Sequence, residues 1–475
     1  MCVFVFKQFR ELPSPVQDVF KRLGEIAYKG IEEGKLIFGP SEVEGLEDCG
    51  LLHRLPDRAG HTPFALREQQ FCFSHLTIQE FFAAKHLTDT LDDEELRTFV
   101  SDKIGDGTWT VVTQFIAGLL KEREVSLTHI FTDLLPAKTL QKQYERELTG
   151  IWDETSEHSR PTCWPVKEDK ELALNLSKCL HEIDVNNSVI KERLAKIDFS
   201  AVDFSACGLA PVDCAAVVHL LKNAEGISCM TLARNNVGPL ACMEIVKFVK
   251  NNNNLTRLNL ASNNIGDKGI EFLCKGLKQS NCKLETLNLA HNNIADKGEQ
   301  HLCEALKQSS CKLKTLILAF NNITATGVGY LCEALKQSNC KLKTLILTAN
   351  NITDKGVEYF SEALKHNNCK LETLSLGRNN LTDKGVEYFC EALKNSNCKL
   401  ETLNLADNKI TDNAVEHLGE ALKQSNCKLK TLDLASNNIT DKGVAYLCEA
   451  LRHNNCKLET LNLYENNTSD KGEDK

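Results

Sequence analysis

The sequence predicts an α/β chain with two regions: an all-α region to about residue 198, then a solenoid with short parallel strands inside and helices outside. Two observations carry this. From residue 255 the chain repeats every 29 residues, as in LTRLNLASNNI, LETLNLAHNNI, LKTLILAFNNI and LKTLILTANNI. Within each copy the apolar pattern switches from alternation to a helical face, one strand and one helix per copy. Composition agrees, since 42% hydrophobic and 25% charged residues with only ten prolines describe a folded globular chain rather than a disordered one.

The leading leucines are Leu255, Leu284, Leu313, Leu342, Leu371, Leu400, Leu429 and Leu458. Two weaker copies precede them at 28-residue spacing, from Ile227 and from Phe199, with Cys207 in the Asn slot of the first, which makes ten copies. Leu287 and Leu289 alternate on a strand and point to one side, into the coil. Asn292 recurs at the bend, where its amide can bond backbone groups that no sheet satisfies. After the bend, residues 353–365 place Val357, Phe360 and Leu364 on one helical face, with Thr and Asp as N-caps. The pattern LxxLxLxx(N/C)x(I/L) is similar to the leucine-rich-repeat consensus, whose coils are stable only when stacked. The last copy keeps Leu461 and Leu463 but has Thr468 and Glu473 where earlier copies hold Ile265 and Ile270, so its helix is expected to be missing.

Residues 1 to about 198 carry no repeat and predict helices around 16–31, 75–100, 109–122 and 168–183, with 150–166 a loop between helices. FCFSHLTIQEFFAAKHL at 71–87 resembles the segment joining the winged helix to the second helical domain of NACHT and leucine-rich-repeat receptors, the NOD-like receptors of animal innate immunity. The preceding FKRLGEIAYKGIEEGKLIFGPSEVEGLEDCGLLHRL looks like the winged helix, and ELALNLSKCLHE is similar to the approach to the repeats. The repeats look like the ribonuclease-inhibitor subtype. The resemblance implies a winged-helix-like region at 1–70, a second helical domain at 71–198 and leucine-rich repeats at 199–475, in a non-catalytic innate-immune regulator that binds protein. It further implies that His75 reaches the phosphate of bound ADP, provided that a NACHT core is present.

No GxxxxGK[ST] phosphate loop occurs; the nearest match, Gly34 and Lys35, is followed by Leu36, with Lys29 where the first Gly belongs. ATP, ADP and magnesium are therefore expected only in a complete receptor, and this chain is expected to use no cofactor and to bind a protein ligand or a NACHT-bearing receptor. With 65 acidic against 56 basic side chains, a net charge of -9, nucleic acid is not expected as the primary partner. The absence of an 18-residue apolar run and of a secretory signal points to a cytoplasmic chain without a membrane partner.

Twelve of the 21 cysteines form two ladders: Cys282, Cys311, Cys340, Cys369, Cys398, Cys427 and Cys456 before the strands, and Cys274, Cys303, Cys332, Cys390 and Cys448 on the helices. They read as small buried hydrophobes kept reduced, or as a redox-sensitive set whose oxidation would unravel the coils together. The HNNC pairs at His366 and His453 read as repeat drift rather than metal ligation, because other copies hold Gln279, Gln308 and Gln337 there.

A binding surface is sought in the column that varies while the frame repeats. It reads Ser262, His291, Phe320, Ala349, Arg378, Asp407, Ser436 and Glu465, flanked by Ile317 and Ile346 and by Tyr464 in the last copy. An apolar patch at Ile317, Phe320 and Ile346 beside Arg378 and Asp407 has the composition of a binding hot spot, with neutral variation on a solvated face as the alternative. Two other functions share such repeats. A ribonuclease-inhibitor-like enzyme inhibitor is disfavoured by the receptor-like first 198 residues, and a GTPase-activating protein by the lack of a long acidic tail.

Overall fold

The computed structural model describes residues 13–56, 69–121, 129–135, 163–165, 169–183, 188–195, 200–222, 224 and 226–469. The chain forms two compact units, one of residues 1–139 and 167–197, the other of 140–166 and 198–475. Among the described residues no helix is long and apolar enough to cross a membrane.

The first unit is built around α1 (Ser14–Glu32), which packs on α2 (Leu76–Thr90). They approach so closely at Gly24 that a Cβ there would lie 2.9 Å from Cβ of His86. A small antiparallel sheet of β1 (Leu52–Arg54) and β2 (Phe71–Phe73) accompanies the helices. The helical pattern expected over 75–100 breaks after Thr90, and α3 (Asp93–Lys103) begins anew. A capping box causes the break: Asp92 accepts from the amides of Glu94 and Glu95, and Glu95 accepts from the amide of Asp92. The helices α4 (Thr110–Leu120), α5 (His129–Thr132), α6 (Lys170–Ile183) and α7 (Ser188–Ala195) complete the unit. Asn175 of α6 is buried and donates to the carbonyl of Ile104 and to Thr110 Oγ1, satisfying the end of α3.

The second unit is one eleven-stranded parallel sheet, ordered as in the chain from β3 (Cys163–Trp164) and β4 (Ala201–Asp203) to β13 (Thr460–Asn462). Each strand pairs in register with its repeat equivalent, Leu287 with Leu258 and Leu316 for example. Ten of these strands are the ten repeats; the eleventh, β3, corrects the expectation of a loop over 150–166. There the residues Cys163 and Trp164 pair with Ala201 and Val202, and 150–162 and 166 lie outside the described residues. No repeat signature marks β3, because the edge it covers asks only for backbone pairing. The leucines point inward as expected, Leu287 and Leu289 being buried, and Val357, Phe360 and Leu364 are buried on the helix side. In the last copy Leu461 and Leu463 are only half-buried, and its tail beyond Ser469, including Glu473, lies outside the described residues.

Helix entry is controlled from the preceding coil. Asp267, Asp296, Asp354, Asp383, Asp412 and Asp441 each accept, at 2.7–2.9 Å, the amide 28 residues ahead, that of Ala295, Thr324, Thr382, Thr411, Thr440 or Ser469. Where the residue ahead is Thr or Ser, its hydroxyl donates to the second oxygen of the same Asp at 2.6 Å. The expectation that Thr and Asp cap the helix of 353–365 is therefore corrected: the helix from Thr353 has Ile352 at its N-cap and no side-chain cap bond, and Asp354 spends its oxygens on the start of the next helix. Pro211, Pro239 and Ala325 stand in the Asp column. In the coil that follows each of them, the first helical residue, Gly238, Gly266 or Thr353, is left-handed at φ 65, 59 or 58. Its amide turns instead to the carbonyl of Asn263, Asn292 or Asn379 in the following coil. Glycine accepts this conformation; the β-branched Thr353 is strained by it.

Thr353→Gly should therefore raise stability by about 1 kcal/mol. Ala325→Asp, which supplies the missing anchor, should do the same by about 1 kcal/mol. Combined, the two should gain less than their sum, since both relieve one strain. Urea unfolding midpoints measure this, and two full additive gains would contradict the shared cause.

Candidate protein-binding surface

The variable column owes its position to the backbone. Ala206, Arg234, Ser262, His291, Phe320, Ala349, Arg378, Asp407, Ser436 and Glu465 are all left-handed, with φ between 52 and 57. In L-residues this costs on the order of 1 kcal/mol each. It persists because the amides of the first nine, Ala206 to Ser436, then reach the next coil, as from His291 to the carbonyl of Ala319 at 3.0 Å and from Phe320 to that of Thr348 at 2.8 Å. The following Asn ties coils together. Asn292 donates to the carbonyls of Leu260 and Ala290, and its Oδ1 accepts from the amides of Asn263 and Ile265 in the coil before. In the first copy, where Cys207 replaces Asn, the Cys207 amide is still held by Asn235 Oδ1 at 3.0 Å. The frame is thus carried by backbone and Asn, and the side chain of the variable column is left free to differ.

These side chains pair along the column. The rings of His291 and Phe320 stack, with centroids 4.2 Å apart and planes 10° from parallel. Arg378 Nε meets Asp407 Oδ2 at 2.8 Å, and Ser436 Oγ donates to Glu465 Oε2 at 2.9 Å. Phe320 remains 41% exposed and Tyr464 69% exposed, whereas Ile317 is only 1% exposed. Ile317 is therefore corrected from an exposed patch residue to part of the floor beneath, packed with Ala290, Ala319 and the half-buried Ile346. The structure brings His291, Phe320, Ile317 and Ile346 into one neighbourhood, Arg378 and Asp407 into a second, and Tyr464 and Glu465 to the last coil. His75 belongs to the other compact unit, where it is exposed at the start of α2 and its Nδ1 accepts from the amide of Thr77 at 3.1 Å.

Periodicity hides what is paired only between coils. Just before the strands, Lys314 meets Glu285, Lys343 meets Glu372 and Lys430 meets Glu401, each at 2.7 Å. Exposed pairs of this kind contribute little to stability. Glu299 also went unread in the sequence; the signal was available, because it puts a charge into the run of Ile270, Val328, Val357, Val386, Val415 and Val444, a column otherwise charged only at Glu473 in the last copy. The histidines of the HNNC segments act as turn caps, His366 Nδ1 accepting from the amide of Asn368 and His453 Nδ1 from that of Asn455. Among the described residues no cluster suited to a metal ion occurs.

The ladder cysteines are free thiols, buried except for the half-buried Cys448 and Cys456 in the last coils. Burial pushes the Cys311 thiol up to about 11 and that of Cys390 up to about 12, so the reactive thiolate is suppressed.

Residues 251–274, 280–303, 309–332, 338–361, 367–390, 396–419 and 425–448 each match the family model described as Leucine Rich repeat. The second unit is accordingly a leucine-rich-repeat solenoid. No curated protein matches the sequence. Among solved structures, the chain is similar to one in the crystal structure of a TLR13-ssRNA13 complex at 18% identity and TM-score 0.37, covering 60% of this chain and 35% of that one. It is also similar to an internalin (inlF) from Listeria monocytogenes at 18% identity and TM-score 0.34, covering 59% and 84% of the two chains. The leucine-rich repeat domain of APL1B is similar at 16% identity and TM-score 0.27, covering 52% and 58%. This chain thus spans about a third of the TLR13 chain.

Asn321→Ala should cost about 3 kcal/mol or more, since it strands the amides of Asn292 and Ile294 and the carbonyls of Leu289 and Leu318. Denaturant titration reads the loss, and a cost below about 1 kcal/mol would show that water replaces the ladder. In native protein a thiol reagent should modify the half-buried Cys49, Cys72, Cys448 and Cys456 before the buried ladder thiols, which react only as coils open. Mass spectrometry of partly labelled protein gives the order. Buried ladder thiols labelled at the rate of these four would contradict it.

Proposed function

We propose that the chain is a non-catalytic cytoplasmic regulator of the NOD-like-receptor type, which binds protein through the open face of its repeat sheet. The observation that carries this is the left-handed column: ten coils hold one backbone geometry while the side chains presented by it change. A surface whose frame is constant and whose contacts vary is suited to recognising one protein surface. Phe320, stacked with His291, gives it an aromatic anchor, and the Arg378–Asp407 pair, beyond the coil of Ala349, a charged flank.

In the receptor architecture that the first unit resembles, repeats and helical domain restrain a NACHT core until a ligand shifts the population. A NACHT-bearing receptor, bound in trans, is therefore the partner we assign. His75 is consistent with the phosphate contact in such an assembly: an Nδ1 that accepts leaves the proton of the neutral ring on Nε2, free to donate. The nucleotide and its magnesium would belong to that core, not to this chain.

Residues 1–475 should retain a purified NACHT core in a pull-down. Phe320→Ala and Arg378→Glu should each weaken retention about tenfold or more, and Tyr359→Ala on the helix side should leave it unchanged. Capture of a secreted ribonuclease in place of the NACHT core would overturn the receptor reading. Equal weakening by all three substitutions would overturn the assignment of the face.

A further inference from the structure

In α11 (Asp296–Leu306), Glu299 is 0% exposed, and neither side-chain oxygen has a hydrogen-bond partner. It occupies a position that the other helices of the 29-residue repeats fill with Ile or Val, on the face that meets the neighbouring coils. The charged groups acting on it are both acidic, Asp296 of its own helix and Asp267 of α10 (Gly266–Leu277), and the Cys274 thiol of α10, which also feels it, is kept neutral by burial. The other charges of α10 do not compensate it: Lys268 and Lys275 pair with Glu271. On the other side α12 (Ala325–Leu335) has no charged residue before Glu333, and β7 (Thr286–Asn288) and β8 (Thr315–Ile317) have none. Lys297, two residues away, is exposed. There is no slack above it either, since a Cβ on Gly327 would lie 3.2 Å from Glu299 Cγ and 2.6 Å from Asp296 Oδ1. The next coil is the one that lacks its Asp anchor, at Ala325, and strains Thr353 at the start of α13 (Thr353–Leu364).

We infer that the α11–α12 contact is a proton-linked joint in the solenoid, closed while Glu299 is protonated and loosened when it ionises. A neutral carboxyl leaves a modest polar defect in an apolar layer; a carboxylate there faces two further carboxylates and no cation, and reaches water only if the coils part. Burial, with Asp296 and Asp267 beside it, raises the Glu299 carboxyl well above the usual carboxylate range. The sign follows: the closed joint holds a proton that the open joint gives up at ordinary carboxylate pH. Stability is greatest below that range and is lost as pH rises toward the closed-state value. Over this interval the opening constant grows by up to about tenfold per pH unit. The joint rests on the packing of α11 and α12 and does not depend on which face binds a partner.

Hydrogen exchange followed by mass spectrometry on residues 1–475, wild type against Glu299→Val and Glu299→Gln, tests it between pH 6 and 9. After correction for intrinsic exchange, α11 and α12 of the wild type should lose protection with rising pH by up to about tenfold per unit. Both variants should stay flat there, and α15 (Asp412–Leu422) and α16 (Asp441–Leu451) should stay flat in all three. Glu299→Gln keeps the size and removes the charge, so it decides the matter should Glu299→Val repack. A wild-type profile that matches Glu299→Gln, or a pH-dependent loss spread evenly over every coil, would overturn the joint.

Discussion

The solenoid depends on what an asparagine does just after the strand in nine of its ten repeats. Every coil leaves the sheet through a left-handed residue, and the turn that follows strands backbone amides and carbonyls away from both sheet and water. The Asn amide supplies donors and an acceptor at that place, and it spends them on two coils at once. Asn292 bonds Leu260 and Ala290 with its NH2 and takes the amides of Asn263 and Ile265 on its oxygen. A coil therefore has its turn completed only by its neighbour, which is why the repeat is stable as an array and not as a unit.

A second inter-coil dependence runs down the helix side. The Asp anchors pull the start of the next helix into an extended cap, and where Pro or Ala replaces Asp the same position turns left-handed. One side chain thus selects between two backbone states in a different coil. The consequence is local variation in how tightly coils are tied. The coils around Glu299, Ala325 and Thr353 combine an uncompensated carboxyl, an absent anchor and a strained Thr, while those from Thr382 onward have every anchor in place. The open face of these coils carries the stacked His291 and Phe320.

The sequence by itself determined much of the architecture. Leucine alternation, the Asn slot and the Val357, Phe360 and Leu364 face dictate strand, turn and helix, because each is a local consequence of burial periodicity. The variable column was visible for the same reason, as the place where the repeat tolerates change. What only the tertiary structure decided are relations between residues of different coils. Burial of Ile317 beneath its neighbours, stacking of His291 on Phe320, the Asp anchors acting one coil ahead and the strand at Cys163 and Trp164 all depend on which atoms the stacking brings together. A single repeat read along the chain contains none of these contacts, since the partner of each group lies in another coil.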